Sequence, residues 1–194
     1  ASTEICIEAM VAAICFYIFV VHMFTADKPF INPGLFRNAN FVASTAFVFL
    51  IGVILFSTLA LLPPLLQTEM DYPVVLTGLV IAPRGIGTLT GMVVVARLVA
   101  RVDIRVILAS GLVLTAISLW SMGRFSPEMG YGPVVLSGFV QGFGVALVYV
   151  PASTSALSTL GMDLRNEGAA MFNLMRNIGS SAGISVVFFL LARN

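Results

Sequence analysis

The chain has 194 residues, of which 59% are hydrophobic and 10% charged, whereas an ordinary soluble domain carries roughly 25% charged residues. Its ten basic and nine acidic side chains leave a formal net charge of +1, so there is no basic field to hold nucleic acid. Too few charges remain to coat a water-facing surface, and the admissible partners are lipid, other helices and a small solute.

Crossing ~30 Å of hydrocarbon takes about 20 helical residues, and roughly six apolar runs reach that length. The first is Ile5 to Phe24. It holds Cys6 and Cys15, which lack C-x-x-C spacing and read as small lipid-compatible residues. Glu4 and Glu8 replace a positive leader, and no small-residue cleavage pattern follows, which argues against a signal peptide. The start without Met predicts a fragment or processed product. His22 reads as an interfacial histidine before a proton relay, although imidazole chemistry suits the latter.

Asp27-Lys28-Pro29 and Asn32-Pro33-Gly34 mark the first connector, and Phe41 to Leu66 is the second run. After Met70-Asp71-Tyr72-Pro73 comes the third, Val74 to Ala100. Inside it, Ala82-Pro83-Arg84-Gly85 sets a helix breaker beside a charge: Pro83 removes a donor and Gly85 loosens the backbone. An arginine near mid-bilayer costs ~2.5 kcal/mol or more by insertion scales and is kept where it meets a partner or water. Arg84 therefore marks a candidate pathway, with snorkelling to the outer interface as the alternative.

The fourth run is Ile104 to Gly123 and the fifth, after Ser126-Pro127 and Gly132-Pro133, is Pro133 to Leu160. Gln141 in the fifth is a buried polar group needing a partner, either a neighbouring helix or a solute. Beyond Gly161-Met162-Asp163, the last run is Gly168 to Ala192. There Asn173 and Asn177 share a helix face with Arg176 beside them, a polar stripe that suits a watery cavity, interhelical glue or snorkelling. Three G-x-x-x-G spacings, Gly87 to Gly91, Gly138 to Gly142 and Gly179 to Gly183, predict close helix packing.

Each run must be a helix, because lipid offers no partner to backbone N–H and C=O groups. Runs such as Phe47-Val48-Phe49-Leu50-Ile51 lack the alternation of a membrane barrel. With the first connector inside, Lys28, Arg37, Arg97, Arg101, Arg105 and Arg165 gather on the cytoplasmic side against Arg124 and Arg193 outside. Every Asp and Glu falls in a loop or at a helix end, so no buried carboxylate is at hand to carry a proton. A nucleotide loop, H-E-x-x-H and a carboxylate-rich metal cluster are all missing, so the sequence predicts no enzyme, metal or cofactor.

Taken together, Leu79-Val80-Ile81-Ala82-Pro83-Arg84-Gly85-Ile86-Gly87, Ala96-Arg97-Leu98 to Arg101-Val102-Asp103-Ile104-Arg105, Gln141-Gly142-Phe143-Gly144 leading to Val150-Pro151, and Phe172-Asn173-Leu174-Met175-Arg176-Asn177-Ile178-Gly179 resemble a known family. They are similar to the C-terminal part of the major facilitator superfamily's fourteen-helix drug:proton antiporters of the EmrB/QacA type. The resemblance covers nearly the whole chain, including the lead-in Asn32-Pro33-Gly34-Leu35-Phe36-Arg37-Asn38. It implies an all-α polytopic bundle, with residues 1–40 a linker helix and cytoplasmic loop and 41–194 five of six C-terminal helices. The last helix and the N-terminal bundle are then absent, and with the latter the glycine-proline motif diagnostic of antiporters. This polypeptide alone is not expected to transport.

The implied function is proton-coupled efflux of hydrophobic or amphipathic compounds by alternating access, in a bacterial cytoplasmic membrane. Arg84, Gln141, Asn173 and Arg176 would line or support the cavity. Arg97, Arg101, Asp103 and Arg105 would form a cytoplasmic gate loop, with Asp103 pairing an arginine or a helix terminus; a positive-inside anchor is the alternative. Pro83, Gly85, Gly87, Gly91, Gly138, Gly142, Pro151, Gly179 and Gly183 would break or pack helices. A noncatalytic membrane scaffold or assembly subunit is the competing function, and a membrane-embedded enzyme stands third.

Overall fold

The computed structural model describes residues 3–25, 32–126 and 128–193. Lys28, which entered the charge count, and the loop residues Asp27, Pro29 and Pro127 lie outside them. The described residues form helices α1 (Thr3–Thr25), α2 (Ala39–Thr68), α3 (Val74–Ile81), α4 (Pro83–Leu98), α5 (Ile104–Met122), α6 (Tyr131–Ser158) and α7 (Arg165–Arg193), with short 3-10 turns at Pro33–Arg37 and Met162–Leu164. No strand occurs among them.

Among the described residues, five segments are long and apolar enough to cross a membrane: Ala39–Thr68, Val74–Leu98, Ile104–Met122, Tyr131–Ser158 and Met162–Arg193. The chain is an integral membrane helical bundle. The expected first span is α1, a 23-residue helix whose described apolar stretch is Cys6–Ile18; Cys6 and Cys15 are free and exposed on it. Large apolar side chains such as Val75, Leu79, Leu89, Trp120, Leu136 and Phe189 face outward. That inversion of the soluble pattern fits a lipid surround, in which apolar surface gains nothing by hiding.

Helix ends follow local chemistry. Asn38 caps α2, its side-chain oxygen accepting from Asn40 N and Phe41 N, so the helix starts two residues before the apolar run. At the far end Tyr72 N donates to Leu66 O, and Asp71 takes the left-handed conformation (φ 52°) that closes such a helix end. Polar Arg165, Asn166 and Glu167 already belong to α7, which therefore begins ahead of its apolar stretch.

At the proline, Ala82 keeps helical dihedrals (φ −52°, ψ −37°), while Gly85 N donates back to Ala82 O at 2.9 Å. The break is thus a tightened turn and a lost donor at Pro83, with no unwound segment. Pro151, by contrast, sits buried within the continuous α6.

The centre of the bundle is α6, which packs against α2, α4 and α5, while α7 packs mainly on α2. Parallel pairing of α2 with α7 is set by Phe49 beside Gly179 and Val53 beside Gly183. Parallel pairing of α4 with α6 is set by Gly87 beside Phe139 and Gly91 beside Phe143. Antiparallel α5 meets α6 at Gly111 and Gly144, and Ser118 Oγ donates to Ser137 O at 2.7 Å. At one end Leu35, Phe41, Leu160 and Phe172 form a buried cluster. The lead-in is tied there by Asn32 N donating to Glu167 Oε2 (3.2 Å) and Asn38 Nδ2 donating to Thr159 O (3.0 Å).

Candidate functional site

Glycine decides how closely the helices meet. A β-carbon on Gly87 would fall onto the Phe139 carbonyl oxygen, and one on Gly142 onto that of Arg84. On the other side, Gly179 lies against the Phe49 carbonyl and Gly52 against that of Arg176. Gly91 and Gly183 are confined too: a β-carbon on Gly91 would come within 2.7 Å of Ala146 Cβ and 2.9 Å of the Phe143 oxygen, and one on Gly183 within 2.6 Å of the Val53 oxygen. Gly138 is different: its nearest neighbour is Arg84 Cβ at 3.8 Å, an ordinary contact, and Gly85 has open space around it.

This close approach carries Arg84 into the bundle. It is 5% exposed, and its Nη2 donates to the Leu55 carbonyl of α2 at 3.2 Å. Nε and Nη1 are buried without a hydrogen-bond partner. Snorkelling is therefore not what the side chain does here: the guanidinium turns inward to α2. Holding a charge this way is costly and demands that its neighbours fix it.

One turn further along α2, Gln141 reaches the same helix from α6. It is fully buried, and Nε2 donates to Thr58 Oγ1 at 3.1 Å; Thr58 in turn donates to Ile54 O at 2.7 Å. Gln141 Oε1 has no partner. Arg84, Gln141 and Thr58 thus make a polar knot where α2, α4 and α6 meet. Thr58 also lines an apolar cavity of about 390 Å³ between α2, the end of α5 and α7, with Leu62, Leu119 and Val187 among its walls.

The stripe on α7 divides. Arg176 is half-buried and turns toward α6, with Nη1 3.4 Å from Tyr149 Oη and the guanidinium 6.0 Å from the ring centre. Asn173 and Asn177 are exposed, and Asn173 Nδ2 donates to Ala169 O in its own helix. Arg97, Arg101, Asp103 and Arg105 are exposed together at the α4–α5 connector. There Asp103 caps α5, its carboxylate accepting from Arg105 N at 2.8 Å, which resolves its partner as a helix terminus. By helix direction, Arg37, Arg97, Arg101, Arg105 and Arg165 share one end of the bundle, and Arg124 and Arg193 the other.

Two members of these constellations carried no sequence signal strong enough to single them out. Thr58 is one of four hydroxyl residues in a long apolar run, and Tyr149 is one aromatic among many. Arg124, stacked 5.2 Å over Trp120, forms an interfacial anchor at the less basic end.

The sequence pattern of the Major Facilitator Superfamily matches residues 6–184. This chain belongs to that family. Its similarity to multidrug export protein EmrB of Haemophilus influenzae is 29% identity over 190 residues, 97% of this chain and 37% of that protein. EmrB of Escherichia coli K12 is 29% identical over 186 residues, 95% of this chain and 36% of its own length. Fatty acid resistance protein FarB of Neisseria gonorrhoeae is 28% identical over 193 residues, 100% of this chain and 38% of its own. The superfamily chain described here thus spans little more than a third of the length of these relatives.

Proposed function

We propose that this chain is the C-terminal part of a secondary exporter in a bacterial cytoplasmic membrane, moving hydrophobic or amphipathic compounds outward by alternating access. The observation that carries the reading is the buried guanidinium of Arg84, held to α2 beside the Gln141–Thr58 bond, in a bundle whose other buried polar side chains, among the described residues, are serines and threonines. Intramembrane charge is expensive, and it persists where function uses it. Relatives named for multidrug export and fatty acid resistance support the same direction.

In this reading residues 1–40 are a linker helix and loop, and 41–194 supply five of the six helices of one bundle. Arg84 and Gln141 support a substrate cavity formed with the other bundle, and Asn173 and Arg176 line its edge; the four are not among the residues lining the apolar cavity beside Thr58. The exposed Arg97, Arg101, Asp103 and Arg105 act as the cytoplasmic gate loop. An intramembrane carboxylate is one way to couple protons; in α2–α7 the Asp and Glu residues sit at helix ends or connectors, while Glu8 lies within α1. If the exporter is proton-coupled, its titrating group is expected in the part of the protein beyond this sequence.

The test uses the full-length protein in energised membrane vesicles. Arg84→Gln and Gln141→Leu are expected to lower efflux of a hydrophobic dye at normal membrane abundance. A lost interaction of about 1.4 kcal/mol in the rate-limiting rearrangement corresponds to about a tenfold loss of rate. Unchanged efflux accompanied by poor assembly would refute transport by this site and favour a scaffold.

A further inference from the structure

The two arginines of the bundle belong to one duplicated device. On α4 the sequence reads Arg84-Gly85-Ile86-Gly87-Thr88-Leu89-Thr90-Gly91, and on α7 it reads Arg176-Asn177-Ile178-Gly179-Ser180-Ser181-Ala182-Gly183. Both present arginine, isoleucine, glycine, a hydroxyl residue and a second glycine at identical spacing. Their receiving helices match as well: Phe139 to Gly142 on α6 and Phe49 to Gly52 on α2. Gly87 seats on Phe139 as Gly179 seats on Phe49, and the Arg84 carbonyl meets Gly142 as the Arg176 carbonyl meets Gly52.

Each arginine therefore rests its backbone on one central helix and extends its side chain to the other. Arg84 rests on α6 and reaches α2 at Leu55; Arg176 rests on α2 and reaches α6 at Tyr149. Because α2 and α6 run antiparallel, the two arms cross the same seam in opposite senses. Chance placement of two charges would not reproduce both seats and both reaches.

The copies differ at the acceptor. Tyr149 lies seven residues beyond Gly142, and the matching position seven beyond Gly52 is Leu59. Leu59 follows Leu55, the present acceptor, by one helical turn and is 38% exposed, so a larger side chain has room. Arg176 thus has a side-chain acceptor, the Tyr149 phenol, and leaves one buried nitrogen, Nε, unpartnered, while Arg84 has only the Leu55 carbonyl and leaves two, Nε and Nη1.

We propose that Arg84 and Arg176 are paired straps across the α2–α6 seam, with Tyr149 the positioning residue of a fastened strap and Arg84 the strap left loose to exchange partners. Its part in the transport cycle rests on the exporter reading above; the straps themselves rest on the geometry alone. A loose arm on one side and a held arm on the other lets the seam yield at Arg84 first.

Double-mutant cycles on the purified full-length protein in detergent test this. Leu59→Tyr is expected to raise the unfolding midpoint by about 2–4 °C, and the gain is expected to vanish when Arg84 is Gln. Tyr149→Phe is expected to lower the midpoint by a similar amount and to have no further effect in Arg176→Gln. Equal shifts from Leu59→Tyr with and without Arg84 overturn the loose strap. Additive losses from Tyr149→Phe and Arg176→Gln overturn the fastened one, and this arm decides the proposal if Leu59→Tyr fails to insert.

These cycles need no transport, so they stand even where the exporter reading fails. In vesicles that do transport, Leu59→Tyr is expected to cut maximal efflux about fivefold, with half-saturation unchanged, and to cause no further loss where Arg84 is already Gln. Undiminished efflux beside an intact stability coupling overturns the assignment of Arg84 as the arm that moves.

Discussion

Gly138 and Gly142 form one G-x-x-x-G motif, yet the structure gives them opposite sensitivities to a single methyl group. At Gly142 the new β-carbon would strike the Arg84 carbonyl oxygen, a backbone atom fixed in α4 and accepting from Thr88 Oγ1 at 3.1 Å. Nothing flexible can give way, so α4 and α6 must separate. Overpacking typically costs 1–3 kcal/mol, and a rigid obstacle places Gly142→Ala near the top, about 3 kcal/mol. At 2–4 °C per kcal/mol for a chain of this size, the unfolding midpoint should fall by about 6–12 °C.

Gly138→Ala meets only Arg84 Cβ at 3.8 Å and so gains helix propensity without a clash. The expected result is no loss, or a gain of up to about 1 kcal/mol. Thermal unfolding in detergent, followed by circular dichroism and by the fraction remaining monodisperse, measures both. Equal shifts for the two variants would refute the argument, because it derives the difference from backbone contact alone.

Thr58→Val removes the partner of Gln141 and is expected to cost about 1–3 kcal/mol by leaving a buried amide unsatisfied, while Thr58→Val with Gln141→Leu recovers most of it; thermal midpoints of the four proteins check this. Asp103→Ala strips the cap from α5 and should cost about 1 kcal/mol, read as faster hydrogen exchange at the first turn of that helix. Asp71→Gly relieves a left-handed residue at the end of α2 and should raise the midpoint by the equivalent of about 1 kcal/mol; a fall would show that the aspartate side chain matters more than its backbone.

Much of the fold is legible because a bilayer allows one backbone solution for a long apolar run. The turn at Ala82-Pro83 is legible for a similarly local reason, since proline's missing donor does not depend on its surroundings. Helix ends were harder to read: α7 begins at Arg165 because its first polar residues are helical, which hydropathy cannot register. At the site, cost alone marked Arg84 and Gln141. That Arg84 meets the Leu55 carbonyl, and Gln141 meets Thr58, depends on how α4 and α6 pack on α2, and no spacing within either helix encodes it. Thr58 stayed silent because its hydroxyl bonds to Ile54 O in its own helix, which costs nothing visible in the sequence. Spacing marks the G-x-x-x-G glycines, but Gly52, Gly111 and Gly144 pack as closely without belonging to one of those pairs.

The central position of α6 bears on how this protein is made. The ribosome completes α2 and α4 well before it reaches α6, on the order of seconds at ordinary synthesis rates. Arg84 must therefore wait in or beside the membrane before Gly142 arrives to seat it, while Thr58 can wait without cost because it already bonds within α2. The insertion machinery has to shelter that one side chain through the interval, and the bundle closes around it only when its last central helix is delivered.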